Sequence, residues 1–144
     1  MARAKNKNDY LRKVFLEIDK VKDNDRSIVL IAHGFLELLI NTLVGKKCQN
    51  HKKILEYRSE FSYSAKLILL NEMGYINRKE FRILDRFRKI RNEAAHEPIF
   101  KLSRSDIEYF SEFNPPSEDI VLLCKRIIII IWNKYNLVFH PIFG

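Results

Sequence analysis

Residues 25–44 read DRSIVLIAHGFLELLINTLV, and this stretch decides the fold class. Apolar residues stand on nearly every face of a helix wound through it, from Ile28 to Val44. A helix that is apolar almost all round belongs in the centre of a bundle. Asp25 is expected to cap its start, and Gly45 is expected to end it. We therefore predict a central helix that other helices surround.

Amphipathic stretches flank this central helix on both sides. Upstream, apolar residues at spacings of three and four predict a helix that begins near Asn8 or Asp9. Residues 46–60 are polar and are expected to form a long connection with room for a short helix. Downstream, the expected helices span residues 62–74, 77–96, 103–113 and 117–136. Their expected N-caps are Ser62 or Ser64, Asn77, Ser103 or Ser105, and Ser117.

Together these stretches predict an all-α, up-and-down bundle of five to six helices in a single domain covering residues 1–144. A chain of 144 residues is long enough to bury a core without metal or disulfide staples. An apolar share of 47%, with only 4 Gly and 4 Pro, excludes disordered and collagen-like chains. Residues 1–8 are expected to be a basic, flexible N-terminus.

Composition also bears on location and partners. Cys48 and Cys124 stand alone in the sequence, which predicts no metal site, and no cofactor-binding motif accompanies them. Unpaired thiols fit the reducing cytoplasm. Charged residues interrupt the apolar residues 121–139, so we expect a buried helix there and no membrane association. The net charge of +8 suits an anionic partner such as nucleic acid.

The stretch that carries chemistry is residues 84–96, which reads LDRFRKIRNEAAH. Asn92 and His96 are four residues apart and share one polar face of the expected helix. Arg91 and His96 are five apart, about 140° around the helix, so they do not point the same way within one chain. His96 lies at the helix C-terminus, where the helix dipole favours a cation. Two copies packed around a two-fold axis would bring both pairs into one cleft.

Histidine and arginine in such a cleft are the groups that metal-free RNA cleavage needs. One histidine takes the proton of the 2′-hydroxyl, and a second protonates the leaving 5′-oxygen. Arginine stabilises the charge that develops on the phosphate. Asn92 is suited to hold a phosphate oxygen or to orient the imidazole. The local residues leave a second interpretation open, in which Arg91 pairs with a carboxylate between helices and His96 interacts with the end of its helix.

Residues 91–96 resemble the Arg-x4–6-His signature of HEPN domains, including the polar residue directly after the arginine. The wider chain resembles the mannitol-repressor (MltR) family, over roughly residues 24–98. The blocks that carry this second resemblance are residues 25–30, 61–66, 70–76 and 88–96. The MltR pattern usually has a bulky aromatic where this chain has Ala94, a departure that changes either the cleft or its packing.

The HEPN resemblance implies a homodimeric helical bundle with a composite, metal-independent ribonuclease site, as in prokaryotic toxins and antiviral defence proteins. Carried over, it assigns Arg91, Asn92 and His96 as catalytic residues and RNA, either tRNA or mRNA, as substrate, with 2′,3′-cyclic phosphate ends. It also implies an antitoxin or regulatory protein as a possible partner. The MltR resemblance implies instead a non-catalytic regulatory or binding module, connected with transcriptional regulation, although the chain shows no helix-turn-helix signature.

Four further residues are candidates for supporting roles. Glu37 is expected to reach across the bundle and position Arg91 or Arg88, the alternative being a simple pair with His33 four residues before it. Arg88 and Lys89 belong to a basic cluster that either binds RNA phosphates or is plain solvated surface. The resemblance suggests Lys66 as a phosphate contact.

Overall fold

The computed structural model of this chain describes residues 9–111 and 119–144. Within these residues the regular structure is helical and no strand occurs. The helices are α1 Tyr10–Lys20, α2 Asp25–Lys47, α3 His51–Glu56, α4 Tyr63–Glu72, α5 Arg78–His96, α6 Arg104–Tyr109, α7 Ile120–Lys134 and α8 Asn136–Phe143. The predicted all-α class is confirmed. Helix α3 is the short helix for which residues 46–60 left room, and α8 is an additional short element. Residues 1–8, expected to be a flexible N-terminus, lie outside the described part, as do residues 112–118.

Helix α2 is the centre of the bundle, as its sequence predicts. It is 23 residues long, and ten of its side chains are buried. Helices α1, α3, α4, α5, α7 and α8 all pack against it. The buried apolar side chains of the bundle form one continuous core.

Both ends of α2 differ from the expectation. Asn24, and not Asp25, is the N-cap, and its side chain accepts a hydrogen bond from the Ser27 N–H at 3.0 Å. Gly45 does not end the helix, which continues to Lys47. A glycine ends a helix by adopting positive φ, and Gly74 is the one glycine with positive φ among the described residues.

Helices α4 and α5 begin and end where the sequence indicates. Ser62 caps α4, and Gly74 (φ +81°) follows its end in the left-handed conformation. Asn77 caps α5 in a capping box with Glu80, with both hydrogen bonds at 2.8 Å. Helix α5 ends at His96, because the residue before Pro98 takes extended angles.

The C-terminal region departs most from the expectation. Ser103 caps α6 as predicted, but α6 is only six residues long, and Phe113 lies outside the described part. Asp119 caps α7, and Ser117 lies in the undescribed segment. The last helix was expected to end near residue 136; instead the chain bends at Tyr135 and α8 follows. The bend lets Phe139 of α8 pack against Trp132.

Helix α2 also has the length and composition of a membrane span, the one helix in the described ranges that does. Core helices of soluble proteins pass the same test, and 56% of its most apolar window is buried in the bundle. Helix α7 packs against α1, α2, α5 and α8. Within its apolar residues 127–132, Ile129 and Ile130 are partly exposed and the other four are buried.

Candidate functional site

The three residues of the predicted catalytic motif lie in the last two turns of α5. Arg91 and Asn92 are half-buried, and His96 is exposed at the final residue of the helix. The Arg91 Nη1 donates to the Asn92 Oδ1 at 3.4 Å, a long hydrogen bond between neighbouring residues. Among the residues that the structure describes, no carboxylate forms an ion pair with Arg91. The carboxylate pair of the competing interpretation is therefore not formed within residues 9–111 and 119–144.

Arg91 and His96 remain on different sides of α5. The helix is uninterrupted through His96, so five residues separate the two by about 140° and about 7.5 Å along the axis. One chain alone does not bring these side chains to a common point, as the sequence also predicts. A site that uses His96 as both the acid and the base therefore needs a second copy of α5.

Arg91 faces a polar cluster between α2, α4 and α5, which we call the seam cluster: His33, Glu37, Tyr63, Lys66, Arg88 and Arg91. At its centre, His33 is only 2% exposed. Burial, and secondly the charges of Arg91 and Arg88, lower the pKa of His33 to about 4. His33 is therefore a neutral imidazole at pH 7, and both arginines are close enough to act on it.

Glu37 contacts His33 and not the arginines. Its Oε1 lies 3.1 Å from the His33 Nδ1, and its side chain is 43% exposed. The angles do not make a hydrogen bond, and neither ring nitrogen of His33 has a hydrogen-bond partner in the described part of the chain. The simple i, i+4 pair is thus observed, whereas direct contact between Glu37 and Arg88 or Arg91 is not.

The predicted phosphate contacts are engaged within the chain. Lys66 is 7% exposed and donates from Nζ to the Asn41 Oδ1 at 2.9 Å. Burial, with a smaller effect of Arg58, lowers the pKa of Lys66, and Glu37 opposes that shift. Arg88 donates from Nε and Nη2 to the Asp85 Oδ1, at 3.0 and 2.9 Å. Lys89 remains exposed, with its Nζ 3.6 Å from the Asp85 Oδ2.

The sequence did not indicate a contact between His33 and Tyr63. The Tyr63 ring lies edge-on to His33, with the ring centroids 4.7 Å apart. The Tyr63 hydroxyl is buried without a hydrogen-bond partner in the described ranges, and burial raises the pKa of Tyr63. His33 lies in the third turn of α2 and Tyr63 is the first residue of α4, so their contact depends on how the two helices pack.

A second polar contact that the sequence did not indicate joins α5 to α6. Asp106 is 7% exposed, and its Oδ1 accepts a hydrogen bond from the Arg86 Nε at 2.9 Å. The Arg86 guanidinium also lies over the Tyr109 ring, 4.9 Å from its centroid. No three His, Cys, Asp or Glu side chains converge anywhere in the described ranges.

Comparison with known proteins gives no assignment. No family model matches the chain. No curated protein and no solved structure gives a significant match.

Proposed function

We propose that this protein is a HEPN-type, metal-independent endoribonuclease, of the toxin or antiviral defence kind, that acts as a homodimer. The observation that carries the proposal is the state of Arg91: it is half-buried, near the end of α5, with no carboxylate partner among the described residues. An arginine whose charge is not neutralised within its own fold is available to an anion, and a phosphodiester is an anion that suits its donors.

The chemistry follows from the residue types. The 2′-oxygen of RNA attacks the adjacent phosphorus while the bond from phosphorus to the 5′-oxygen breaks. His96 of one copy accepts the 2′-hydroxyl proton, and His96 of the other copy gives a proton to the 5′-oxygen. Arg91 stabilises the negative charge on the phosphate oxygens, and Asn92 orients the guanidinium to which it is hydrogen-bonded. The products carry a 2′,3′-cyclic phosphate and a 5′-hydroxyl.

The seam cluster supports Arg91 in this proposal. Neutral His33 does not add to the positive charge beside Arg91, whereas a protonated imidazole there would oppose it. Glu37 and His33 are therefore positioning residues. Lys66 joins α4 to α2 through Asn41, and Arg88 is paired with Asp85 of its own helix, so neither cation is assigned to the RNA. Lys89 is the member of the predicted RNA-binding set that remains exposed to bind a phosphate.

An exposed face of α2 supports dimerisation. Leu30, Gly34 and Leu38 follow one another at four-residue intervals, and the two leucines are 36% and 40% exposed. A Cβ at Gly34 would meet nothing within 4 Å, so packing within the chain does not require a glycine there. Lys13 and Glu17 of α1 border this face. The face itself is uncharged, so it suits packing against a second copy even though the net charge of the chain is +8. Around a two-fold axis, Lys13 of one copy would be matched by Glu17 of the other.

The proposed setting is the cytoplasm, with tRNA or mRNA as substrate and an antitoxin or regulatory protein as a further partner. The second candidate function is a non-catalytic, MltR-like regulatory module that acts through protein or nucleic-acid contacts. The divergence of Arg91 and His96 within one chain favours that alternative if the protein is a monomer.

The test is a digest of total RNA and tRNA in EDTA by the wild type and by His96→Ala and Arg91→Ala. His140→Ala is the matched control, because His140 is also exposed and lies outside the motif. We expect cleavage with cyclic phosphate ends by the wild type and His140→Ala, and loss of cleavage in the motif variants, all with wild-type helicity. Retained cleavage by His96→Ala would remove the site assignment. No cleavage by a folded wild-type dimer would favour the regulatory module.

A further inference from the structure

A groove between the first half of α5 and helix α6 lies apart from the motif. It has a volume of about 520 Å³. Arg78, Arg82 and Tyr109 line it, together with Lys79 and Glu108. The groove thus combines three cationic side chains with an aromatic ring that is 41% exposed.

The wall of the groove is fixed by an ion pair between the buried Asp106 and the partly exposed Arg86. Asp106 binds Arg86 of α5 and also accepts a hydrogen bond from the Ser103 hydroxyl at 2.8 Å. Arg86 in turn lies against one face of the Tyr109 ring. The ring is therefore held at the groove by its own helix and by α5, and its exposed part is presented in a defined orientation.

No residue in the described ranges neutralises the cations of the groove. Arg78, Lys79 and Arg82 are exposed, and none forms an ion pair with another described residue. Arg78 and Lys79 stand in the first turn of α5, where the positive end of the helix dipole disfavours cations. A bound anion would relieve that repulsion. Glu108 is the single acidic side chain of the lining.

From the groove, exposed cationic side chains continue along one side of α5 towards His96. Arg78 and His96 are 18 residues apart, which is five full helical turns, so they lie on one line about 27 Å long. Arg82 and Lys89 stand between them within about 40° of that line. Asp85 also stands about 20° from that line, where it is paired with Arg88 and Lys89, and Glu93 stands about 60° from it. The line leads from the groove to the proposed catalytic histidine.

We infer that this groove binds single-stranded RNA, with a base against the Tyr109 ring and phosphates on Arg78 and Arg82. Base stacking on an aromatic ring combined with cations along the backbone is how single strands are bound without sequence specificity. The exposed ring favours a nucleic acid with unpaired bases over a duplex, whose bases are stacked on each other. This inference rests on the proposed function for RNA as the ligand, but it concerns binding and not cleavage.

The test measures fluorescence anisotropy of a labelled single-stranded 2′-O-methyl oligonucleotide, which has no 2′-hydroxyl to cleave. The full-length variants are Arg78→Glu with Arg82→Glu, Tyr109→Ala and Tyr109→Phe. Lys22→Glu with Lys46→Glu is the matched control, because it makes the same change of charge at exposed residues away from the groove. Circular dichroism checks that each variant keeps its helices.

We expect the groove double variant to lose at least tenfold in affinity and to lower the salt slope by about 1.4, which corresponds to two phosphates. Tyr109→Ala is expected to lose about tenfold, and Tyr109→Phe, which keeps the ring, to bind like the wild type. Equal losses in the control double variant, or wild-type affinity in Tyr109→Ala, would overturn the inference. Equally tight binding of a duplex would overturn the preference for single strands.

The two proposals fail separately. A wild type that binds the oligonucleotide through the groove but cuts no RNA contradicts the proposed ribonuclease and leaves the groove assignment standing. A wild type that cuts RNA while the groove variants bind normally supports the ribonuclease and refutes the groove.

Discussion

Arg86 and Asp106 join α5 to α6 through one oxygen: the Arg86 Nε and Nη2 lie 2.9 and 2.8 Å from the Asp106 Oδ1. The two residues are 20 apart in sequence, and Asp106 is nearly fully buried while Arg86 is one-third exposed. A helix of six residues is not stable in isolation. The position of α6, and of the Tyr109 ring that it carries, therefore depends on this pair.

Asp106→Ala is expected to lower the free energy of unfolding by about 2 kcal/mol, since it removes charged hydrogen bonds and leaves Arg86 without its partner. Urea denaturation followed by circular dichroism measures the change. Asp85→Ala is the control, because it breaks a pair within one helix, with an expected cost of about 0.5 kcal/mol. An equal cost for both variants would contradict the role given to Asp106.

The stability of the protein should fall as the pH is lowered from about 6.5 to 4. The folded-state pKa of His33 is about 4, below its ordinary value of 6.5, so the unfolded chain binds the proton more readily across this interval. The contribution is on the order of 3 kcal/mol when the pH is below both values. His33→Gln removes the titrating group, so the difference between wild type and variant isolates it. A pH-independent difference would show that folding does not lower the pKa of His33.

Leu38→Asp is expected to convert the proposed dimer to a folded monomer, because it places a charge on the uncharged face of α2. Light scattering after size exclusion gives the mass. Ile68→Asp, at an α4 side chain that is 50% exposed, is the control and should leave the mass unchanged. A wild type that is already monomeric at high concentration would contradict the proposed dimer interface on α2, and with it the mechanism that needs two copies of His96.

Gly45→Ala is expected to stabilise the fold by about 0.5–1 kcal/mol, because Gly45 lies inside α2 and an added Cβ meets nothing within 4 Å. Gly74→Ala should instead destabilise it by about 1 kcal/mol, because Gly74 has a φ of +81°. Thermal unfolding of the pair measures opposite shifts. A loss of stability in Gly45→Ala would indicate that α2 ends at Gly45, as the sequence alone predicts.

Local signals explain which parts of the fold were predictable. Ser62, Asn77 and Ser103 act as caps where expected, because a cap depends on a few neighbouring residues. The expectation that α2 ends at Gly45 was wrong, because a glycine allows the left-handed conformation that ends a helix but does not require it. Helix α8 was missed because its start depends on Phe139 packing against Trp132, a contact that periodicity does not reveal.

The candidate site likewise has a part that the sequence predicted and a part that it did not. Arg91, Asn92 and His96 share one helix, so helix geometry predicted their mutual arrangement. The contacts of Lys66 with Asn41 and of Arg86 with Asp106 join different helices, and they depend on how those helices pack. Helix periodicity predicts which residues share one face of a helix, but it does not predict which other helix packs against that face.

The central position of α2 has a consequence during synthesis on the ribosome. Helix α2 is complete once Lys47 has been added, whereas α7, which covers part of it, ends roughly 90 residues later at Lys134. At bacterial or eukaryotic elongation rates, that interval is on the order of ten seconds. During that time, the apolar side chains of α2 that α7 later covers are exposed on the nascent chain. Chaperone demand in the cell is therefore expected to arise from this helix more than from any other part of the chain.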